Sequence, residues 1–400
     1  MRELLYVLTC FLISLVVSAQ TIPVVINVSR QLKLFSEPNG RSAAIYRTPT
    51  LGGISIFIGF ILGLTLTRNG YILPGLTFII AGVMIMFFVG LKDDIVTLSA
   101  SKKLISQLIV AGILIFLGHF RFTSLHGFLG IETISLVPSV LLSAFVMIVF
   151  INAFNLIDGI DGLAAGLSIF SSVIFGVWFF LSGHYEFAIV SFSLVGALTG
   201  FFFYNVYGKK NKIFMGDTGS LILGTVMSIL VIQFNELNIS ASIPYHVLAA
   251  PAVSFGILIY PLMDTLRVFA IRIIQKKSPF SADKNHTHHR LLALRMSHRS
   301  ATYTILAANA IFTMAVFYFQ WMGIIGLMLF NVIVSGFLML IPSFLVGIKK
   351  LVARDDPYQK IIFFDNPNLI SFMERRAENK FEITPPFRRL KEQLRRVSFW

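Results

Sequence analysis

The sequence predicts an all-α, polytopic integral membrane protein with about eleven transmembrane helices. Of its 400 residues, 56% are hydrophobic and 13% are charged, whereas soluble domains have about 45–50% and about 25%. The apolar residues form long unbroken runs, which suit helices of about 20 residues better than the alternating strands of an outer-membrane barrel. A soluble, collagenous or disordered chain is therefore excluded.

Eleven apolar runs, bounded by charged or turn residues, define the predicted spans. The first run ends in small residues before Gln20, as a cleaved signal peptide does. We favour a retained span, because the apolar character continues through Ile22 and Ile26. The predicted spans cover residues 4–26, 50–67, 73–91, 104–118, 136–154, 163–182, 187–207, 220–234, 247–270, 302–319 and 322–347.

The basic residues predict the orientation of these spans. The chain has a net charge of +14. If the N-terminus is outside, all Lys and Arg except Arg2, Arg68 and Arg121 lie on the cytoplasmic side, in agreement with the positive-inside rule. The sequence therefore predicts an external N-terminus and a cytoplasmic C-terminus.

Two domains are predicted. Residues 1–347 form a transmembrane catalytic domain with cytoplasmic active-site loops, and residues 348–400 form a basic cytoplasmic tail. Phe387, Leu390 and Leu394 mark the apolar face of a terminal amphipathic helix. This helix can lie on anionic lipid or pack on the loops, and it is assigned no part in the chemistry.

Adjacent carboxylates end the third span, in the segment G-L-K-D-D-I with Asp93 and Asp94. Two such carboxylates repel each other unless a cation lies between them or one is protonated. Mg²⁺ usually binds through one or two carboxylates together with substrate phosphates. The alternative is a chance pair of acids at a helix end.

A second motif, N-A-F-N-L-I-D-G-I-D-G-L-A-A-G, covers residues 152–166. Asn152, Asn155 and Asp158 recur at helical spacing, and Asp161 follows after Gly159. Asp161 could simply cap the next helix, but capping does not explain the whole polar set. We favour a functional site at the membrane edge.

The third motif is F-M-G-D-T-G-S, where Asp217 lies between two glycines before a helix. A helix N-terminus favours anions, although a plain N-cap is an equal alternative here. Phe214 could stack on a flat ring or serve in packing. The segment R-T-P-T-L-G-G-I of the first cytoplasmic loop, residues 47–54, is a further candidate lining of the site.

The fourth motif, residues 278–292, contains His286, His288 and His289. A zinc site is disfavoured, because no Cys is near and this spacing rarely turns three histidines to one ion. Phosphate binding, assisted by Lys284 and Arg290, fits the basic loop better. Together the four cytoplasmic motifs favour a metal-bridged, phosphate-bearing substrate. A transporter of an anionic substrate is the alternative class, but its polar sites would lie near the bilayer midplane.

In this order, the motifs resemble those of the polyprenyl-phosphate N-acetylhexosamine-1-phosphate transferases, over about residues 30–300. The segments L-S-A-S-K-K-L-I-S-Q and P-L-M-D-T-L-R belong to the same pattern. The histidine segment H-T-H-H after S-P-F-S-A-D is similar to the WecA/TagO branch, whereas the muramyl-pentapeptide branch usually has three consecutive histidines.

The resemblance implies transfer of a sugar 1-phosphate, most often from UDP-GlcNAc, to undecaprenyl phosphate in the inner leaflet, with release of UMP. This step would initiate a cell-envelope polysaccharide of the O-antigen, teichoic acid or capsule type. Another UDP-N-acetylhexosamine, such as UDP-FucNAc or UDP-QuiNAc, is the alternative donor. The resemblance also implies Mg²⁺ or Mn²⁺, a bacterial inner membrane with the site facing the cytoplasm, and no nucleic acid; it is compatible with a homodimer.

The resemblance also implies roles for single residues. Asp93 and Asp94 would activate the lipid phosphate or organise the metal, and Asp217 would be the metal ligand. Lys103 would lie near the phosphates, with Lys102 as the alternative. The nucleotide side would comprise Asn155, Asp158 and Asp161, beside Asn152, with Phe214 on uracil, and the diphosphate would meet His286, His288, His289 and Arg290. We expect direct displacement without an aspartyl intermediate, since a phosphate monoester has a second pKa of about 6 and is already nucleophilic.

Overall fold

The computed structural model describes residues 1–36, 48–67, 75–276 and 285–355, with side chains as far as Lys349. Over this part of the chain, helices follow one another with little other structure. They are α1 (Arg2–Gln31), α2 (Gly52–Leu66), α3 (Leu76–Ile95), α4 (Ala100–Gly112), α5 (Leu136–Ile157), α6 (Leu163–Leu181), α7 (Tyr185–Phe202), α8 (Gly216–Leu237), α9 (Ala250–Ile257), α10 (Ile259–Ile274), α11 (Thr287–Ala293), α12 (His298–Tyr318) and α13 (Gly323–Asp355).

Short irregular elements extend or join these helices. A π-turn continues α4 through Ile113–Leu117 and another continues α7 through Phe203–Tyr207, while a 3₁₀ turn joins α12 to α13. Two pairs of antiparallel strands, which were not predicted from the sequence, complete the described residues. They pair β1 (Phe35–Ser36) with β2 (Thr48–Pro49), and β3 (Ser124–Phe128) with β4 (Ile131–Thr133).

The prediction of an all-α polytopic membrane protein is confirmed. Among the described residues, eight helical segments are long and apolar enough to cross a membrane. Eleven were predicted, and the difference has three causes. The α12–α13 segment His298–Lys349 is one continuous stretch, α2 has only 15 residues, and the ninth predicted span is broken at Leu258 between α9 and α10.

The break between α9 and α10 is stabilised by a side-chain amide. Pro261 has no N–H, so it cannot donate to the carbonyl of Ile257 one turn earlier. Asn309 on α12 donates to that carbonyl instead, at 3.1 Å. This bond satisfies a buried backbone acceptor and ties α12 to the broken helix.

Small residues bring α1 close to α7. A Cβ on Gly200 would lie 3.0 Å from the Leu15 carbonyl oxygen, and Ser18 Oγ donates to the Ala197 carbonyl at 2.8 Å. Close backbone approach through small residues is typical of helix packing in membranes.

Helix α8 lies at the centre of the bundle, since most of its residues are buried. Helix α3 approaches its N-terminus so closely that a Cβ on Gly90 would lie 2.5 Å from Thr218 Cα. Helix α5 packs along its other side, where Gly224 leaves room for the backbone of Ile151. The ends of α3, α5 and α8, which carry three of the predicted motifs, are therefore neighbours.

Met1–Ser343 forms one compact unit, and Phe344 begins a second, of which the structure describes only the end of α13. Arg41, Arg47, Arg68 and Lys284 lie outside the described residues. The predicted amphipathic helix of the tail also lies outside them.

Candidate active site

The carboxylate of Asp94, at the end of α3, caps the N-terminus of α8. Its Oδ1 accepts the backbone N–H of Asp217 at 2.8 Å. Its Oδ2 accepts from Thr218 twice, from the backbone N–H at 3.0 Å and from Oγ1 at 2.5 Å. These donors belong to the first turn, whose N–H groups have no partner within the helix. Both Asp94 oxygens are therefore occupied by the protein.

Asp93 and Asp217 lie on either side of the Lys103 ammonium. Lys103 Nζ is 2.5 Å from Asp93 Oδ2 and also donates to Asp217 Oδ2. Asp93 Oδ1 accepts the Leu98 N–H at 2.6 Å, which fixes the turn from α3 to α4. The structure thus brings together two carboxylates and a lysine from α3, α4 and α8.

Two asparagines of α5 have different surroundings. Asn155 Nδ2 donates to Asp217 Oδ1 and to Ser220 Oγ, both at 2.9 Å, and so orients the Asp217 carboxylate. Asn152, one turn earlier, donates to Gln107 Oε1 on α4 at 2.8 Å. Asn155 therefore belongs to the cluster around Asp217, whereas Asn152 joins α4 to α5.

Asp158 ends α5 without a hydrogen-bond or ion-pair partner among the described residues. Burial raises its pKa to about 8, and the negative charges of Asp217, Asp94 and Asp161 act in the same direction. A carboxyl group of this kind is available to a cation or to a hydrogen-bonding ligand.

Asp161, in the turn between α5 and α6, is bonded to the loop before α8 and to α12. Its Oδ2 is 2.6 Å from Lys212 Nζ and 3.0 Å from His298 Nδ1, and its carbonyl accepts from Thr302 Oγ1 at 2.7 Å. Burial alone would raise the pKa of Asp161, but the hydrogen bonds from His298 and Lys212 hold it below its ordinary value. Its Oδ1 is buried with no partner in the described part of the chain.

The loop before α8 is clamped by the segment before α2. The Phe214 N–H donates to the Pro49 carbonyl, and the Phe214 carbonyl accepts from Gly52, both at 2.9 Å. Gly53 donates to the Met215 carbonyl at 2.9 Å. Lys212 Nζ lies 5.4 Å from the centre of the Phe214 ring. The described part of R-T-P-T-L-G-G-I is thus placed against the third motif.

The three histidines of the fourth motif form a stack of rings. The centres of His286 and His288 are 5.6 Å apart, and those of His288 and His289 are 4.4 Å apart. Burial lowers the pKa of His288 to about 3, with a further contribution from His289, so the His288 ring is neutral. A Cβ on Gly159 would meet the His288 ring, which places the stack against the turn after Asp158.

Arg290, in contrast, is turned toward its own loop. It donates to Asn285 Oδ1 at 2.6 Å. Its Nε is buried without a partner among the described residues.

Comparisons with known proteins agree with this arrangement. The sequence profile of glycosyl transferase family 4 matches residues 76–235. The probable undecaprenyl-phosphate N-acetylglucosaminyl 1-phosphate transferase of Bacillus subtilis is 31% identical over 318 residues, covering 78% of this chain and 85% of that protein. The undecaprenyl-phosphate alpha-N-acetylglucosaminyl 1-phosphate transferase of Escherichia coli K12 is 30% identical over 290 residues, covering 71% of this chain and 76% of that protein.

The chain belongs to the polyprenyl-phosphate N-acetylhexosamine-1-phosphate transferases. The predicted family is confirmed, and the protein is a multi-pass glycosyl-1-phosphate transferase.

The cluster of this transferase fits a divalent cation that is shared with substrate. Among the described residues, no three His, Cys, Asp or Glu side chains are grouped to hold a metal ion. Asp93 and Asp217 nevertheless share one ammonium group, and no described residue donates to Asn155 Oδ1. Mg²⁺ commonly takes one or two carboxylates and completes its shell with phosphates and water.

Several polar residues of the transferase site were not predicted from the sequence. Asp264 on α10 anchors His286, while Lys212 and His298 hold Asp161. Asp264 had a signal, because it is a lone acid in the apolar run P-L-M-D-T-L-R. Lys212 and His298 had none, since their partner is distant in sequence.

Proposed function

We propose that this transferase moves N-acetylglucosamine 1-phosphate from UDP-GlcNAc to undecaprenyl phosphate, forming undecaprenyl-diphosphate-GlcNAc and UMP. The proposal is supported by the names of the relatives. The structural observation that carries it is the Lys103 ammonium between Asp93 and Asp217, close to the turn that packs on the histidine stack. Carboxylates, a lysine and histidines in one place suit two phosphorylated substrates and a cation.

The donor nucleotide would lie against the Phe214 loop. Phe214 offers an aromatic face for uracil, and Lys212 lies near the same ring. The Asp161 Oδ1, buried and without a partner among the described residues, is a suitable acceptor for the imide N–H of uracil. The diphosphate would then extend toward His286 and His289.

Mg²⁺ or Mn²⁺ would be held by Asp217, together with Asp93 and the substrate phosphates. When bound, such an ion neutralises charge on the phosphates during transfer. Asn155 keeps the Asp217 carboxylate oriented for this task. Lys103, which lies between the two carboxylates, supplies a second positive charge beside the reacting groups.

The chemistry that follows is direct displacement. The acceptor phosphate has a second pKa of about 6, so it is largely dianionic at neutral pH. One of its oxygens attacks the phosphorus attached to the sugar, a new P–O bond forms, and the bond to the uridine phosphate breaks to release UMP. No residue of the chain needs to form a covalent intermediate.

The reaction would occur at the cytoplasmic face of a bacterial inner membrane, because most basic residues of the chain lie on the side that carries the motifs. The product would start a cell-envelope polysaccharide of the O-antigen, teichoic acid or capsule type.

The test uses proteoliposomes that contain the full chain and undecaprenyl phosphate. UDP-GlcNAc, UDP-FucNAc and UDP-QuiNAc, each labelled in the sugar, are supplied separately with Mg²⁺. We expect the GlcNAc label to enter the lipid with equimolar UMP. Transfer of only another label would refute the donor assignment, and no transfer from any donor would refute the proposed reaction.

A matched pair of variants tests the site itself. Asp217→Asn should lose nearly all Mg²⁺-dependent transfer. Glu132→Gln, at an exposed carboxylate in β4, should keep it. Near-normal turnover of Asp217→Asn would remove Asp217 from the metal site.

A further inference from the structure

Asp264 is a fully buried carboxylate with an unusually complete set of donors. Its Oδ1 accepts from Arg267 at 2.9 Å, from the Thr287 N–H at 2.9 Å and from Thr287 Oγ1 at 2.6 Å. Its Oδ2 is 2.8 Å from His286 Nδ1. A carboxylate that accepts three bonds on one oxygen is fixed in orientation, so the other oxygen is reserved for His286.

This pairing determines which nitrogen of His286 carries a proton. Because the Asp264 carboxylate accepts a hydrogen bond from Nδ1, the neutral His286 ring carries its proton on Nδ1. Nε2 then carries no proton and is left for another partner. Among the described residues, His286 is hydrogen-bonded through Nδ1, and none of them bonds to Nε2. The His286 ring also stacks on His288 with an interplanar angle of 12°. Contacts on two sides therefore hold it in place.

We propose that Asp264 is a positioning residue that fixes the Nδ1–H form of His286 and so presents Nε2 to the diphosphate of the donor. The inference rests on the proposed function, because it requires a nucleotide diphosphate at the histidine stack. Asp264 acts only through His286.

Several charged and titratable groups surround the His286 ring. Asp264 is the carboxylate in contact with the ring, and Asp158 lies at the turn against which the histidine stack packs. The others are Tyr260, Arg267, His288, His289, Arg290 and His298. When Nε2 takes a proton, Asp264 therefore balances the positive ring, and the new N–H can donate to a phosphate oxygen.

Asp264→Asn tests the pairing. Three donors keep the amide oxygen in the Oδ1 position, so the amide NH₂ faces His286 Nδ1. The proton of the neutral ring then moves to Nε2, and the balancing charge is lost. UDP in the presence of Mg²⁺ is titrated into the full chain by calorimetry at several pH values. Wild-type affinity should fall as the pH rises, whereas the variant should bind about 10- to 100-fold more weakly at low pH and show little pH dependence.

Thr287→Val is the matched control. It removes the hydroxyl that bonds to Asp264 but keeps the contact between Asp264 and His286. If Asp264 merely anchors the loop, the control should flatten the pH profile as Asp264→Asn does. That result would overturn the proposal. The proposal would also be overturned if Asp264→Asn bound UDP with the affinity and the pH dependence of the wild-type chain.

A second variant covers the case in which Asp264→Asn does not fold. His286→Asn keeps an N–H donor for Asp264 but deletes Nε2, so it should show the same weak, pH-independent binding of UDP. If His286→Asn bound UDP as tightly as the wild-type chain does, the proposal would be overturned. Sugar transfer by the wild-type chain is measured in parallel, so that a failure of the proposed function itself is recognised separately.

Discussion

Asp93 and Asp94 are adjacent in sequence but have different partners. Successive residues of a helix point about 100° apart, so the two side chains leave α3 in different directions. Asp94 accepts three bonds from the first turn of α8, while Asp93 faces Lys103 beside Asp217. The Asp94 carboxylate therefore holds Asp217 in place, and the Asp93 carboxylate faces the Lys103 ammonium that it shares with Asp217.

Variants of the two acids should separate stability from activity. In Asp94→Asn an amide NH₂ must face a backbone N–H, which leaves a buried donor unpaired at a cost of about 1–3 kcal/mol. Its thermal unfolding midpoint in detergent should fall clearly. Asp93→Asn should unfold near the wild-type temperature but lose most of its sugar transfer. An equal loss of thermal stability in both variants would contradict this division of roles.

Asp158 should make the ligand-free protein less stable as the pH rises. Its folded pKa of about 8 lies above the unfolded value of about 3.9. Between these values the folded state binds a proton that the unfolded state has lost, so stability falls as pH rises through this window and levels off above it.

Unfolding midpoints measured from pH 5 to pH 8 in chelator check this expectation. Asp158→Asn should reduce the slope, and the exposed-site control Glu132→Gln should keep it. An unchanged slope in Asp158→Asn would show that other groups cause the pH dependence.

At the scale of elements, the contact between α3 and α8 depends on one glycine. A Cβ on Gly90 would lie 2.5 Å from backbone atoms of Thr218, so Gly90→Ala should push the helices apart and misplace Asp94 and Asp217. Transfer activity should fall at least about tenfold, since small displacements of catalytic groups are costly. Gly112→Ala, where nothing lies within 4 Å of the new Cβ, should be close to neutral. Equal activity of the two variants would refute the close-approach argument.

The broken helix α9–α10 makes a second prediction. Asn309→Leu leaves the Ile257 carbonyl without its donor and should lower stability by about 1–3 kcal/mol. Adding Pro261→Ala supplies a backbone N–H one turn after Ile257 and should recover part of that loss. Unfolding midpoints of the single and double variants measure this, and no recovery in the double variant would contradict the compensation.

The sequence predicted those parts of the fold and site that depend on local patterns. Apolar runs located the helices, and the motifs named Asp93, Asp217 and the histidines as candidates, which the structure places in two clusters. Bonds between distant segments could not be predicted, because they depend on which helix ends meet. For this reason the capping of α8 by Asp94 and the compensation of Pro261 by Asn309 were not predicted.

At the scale of the whole molecule, the loop from Gly208 to Met215 links orientation to function. It carries Lys209, Lys210 and Lys212, and it leads directly to Asp217. Lys212 holds Asp161 in the candidate site, and positive loops stay in the cytoplasm, so this loop also predicts the side on which the site lies. The loop after α8, at the opposite end of that helix, should then be external.

Single cysteines in these two loops test the orientation. In a Cys10→Ser background, Ser240→Cys and Asn211→Cys each place one thiol at an exposed position on opposite ends of α8. A membrane-impermeant maleimide should label Ser240→Cys in intact spheroplasts and Asn211→Cys only after permeabilisation. Both variants should retain sugar transfer, which shows that the labelled molecules are folded. Labelling of Asn211→Cys from outside would place the site on the external face, where cytoplasmic UDP-sugars do not reach it, and the proposed reaction would lose its donor.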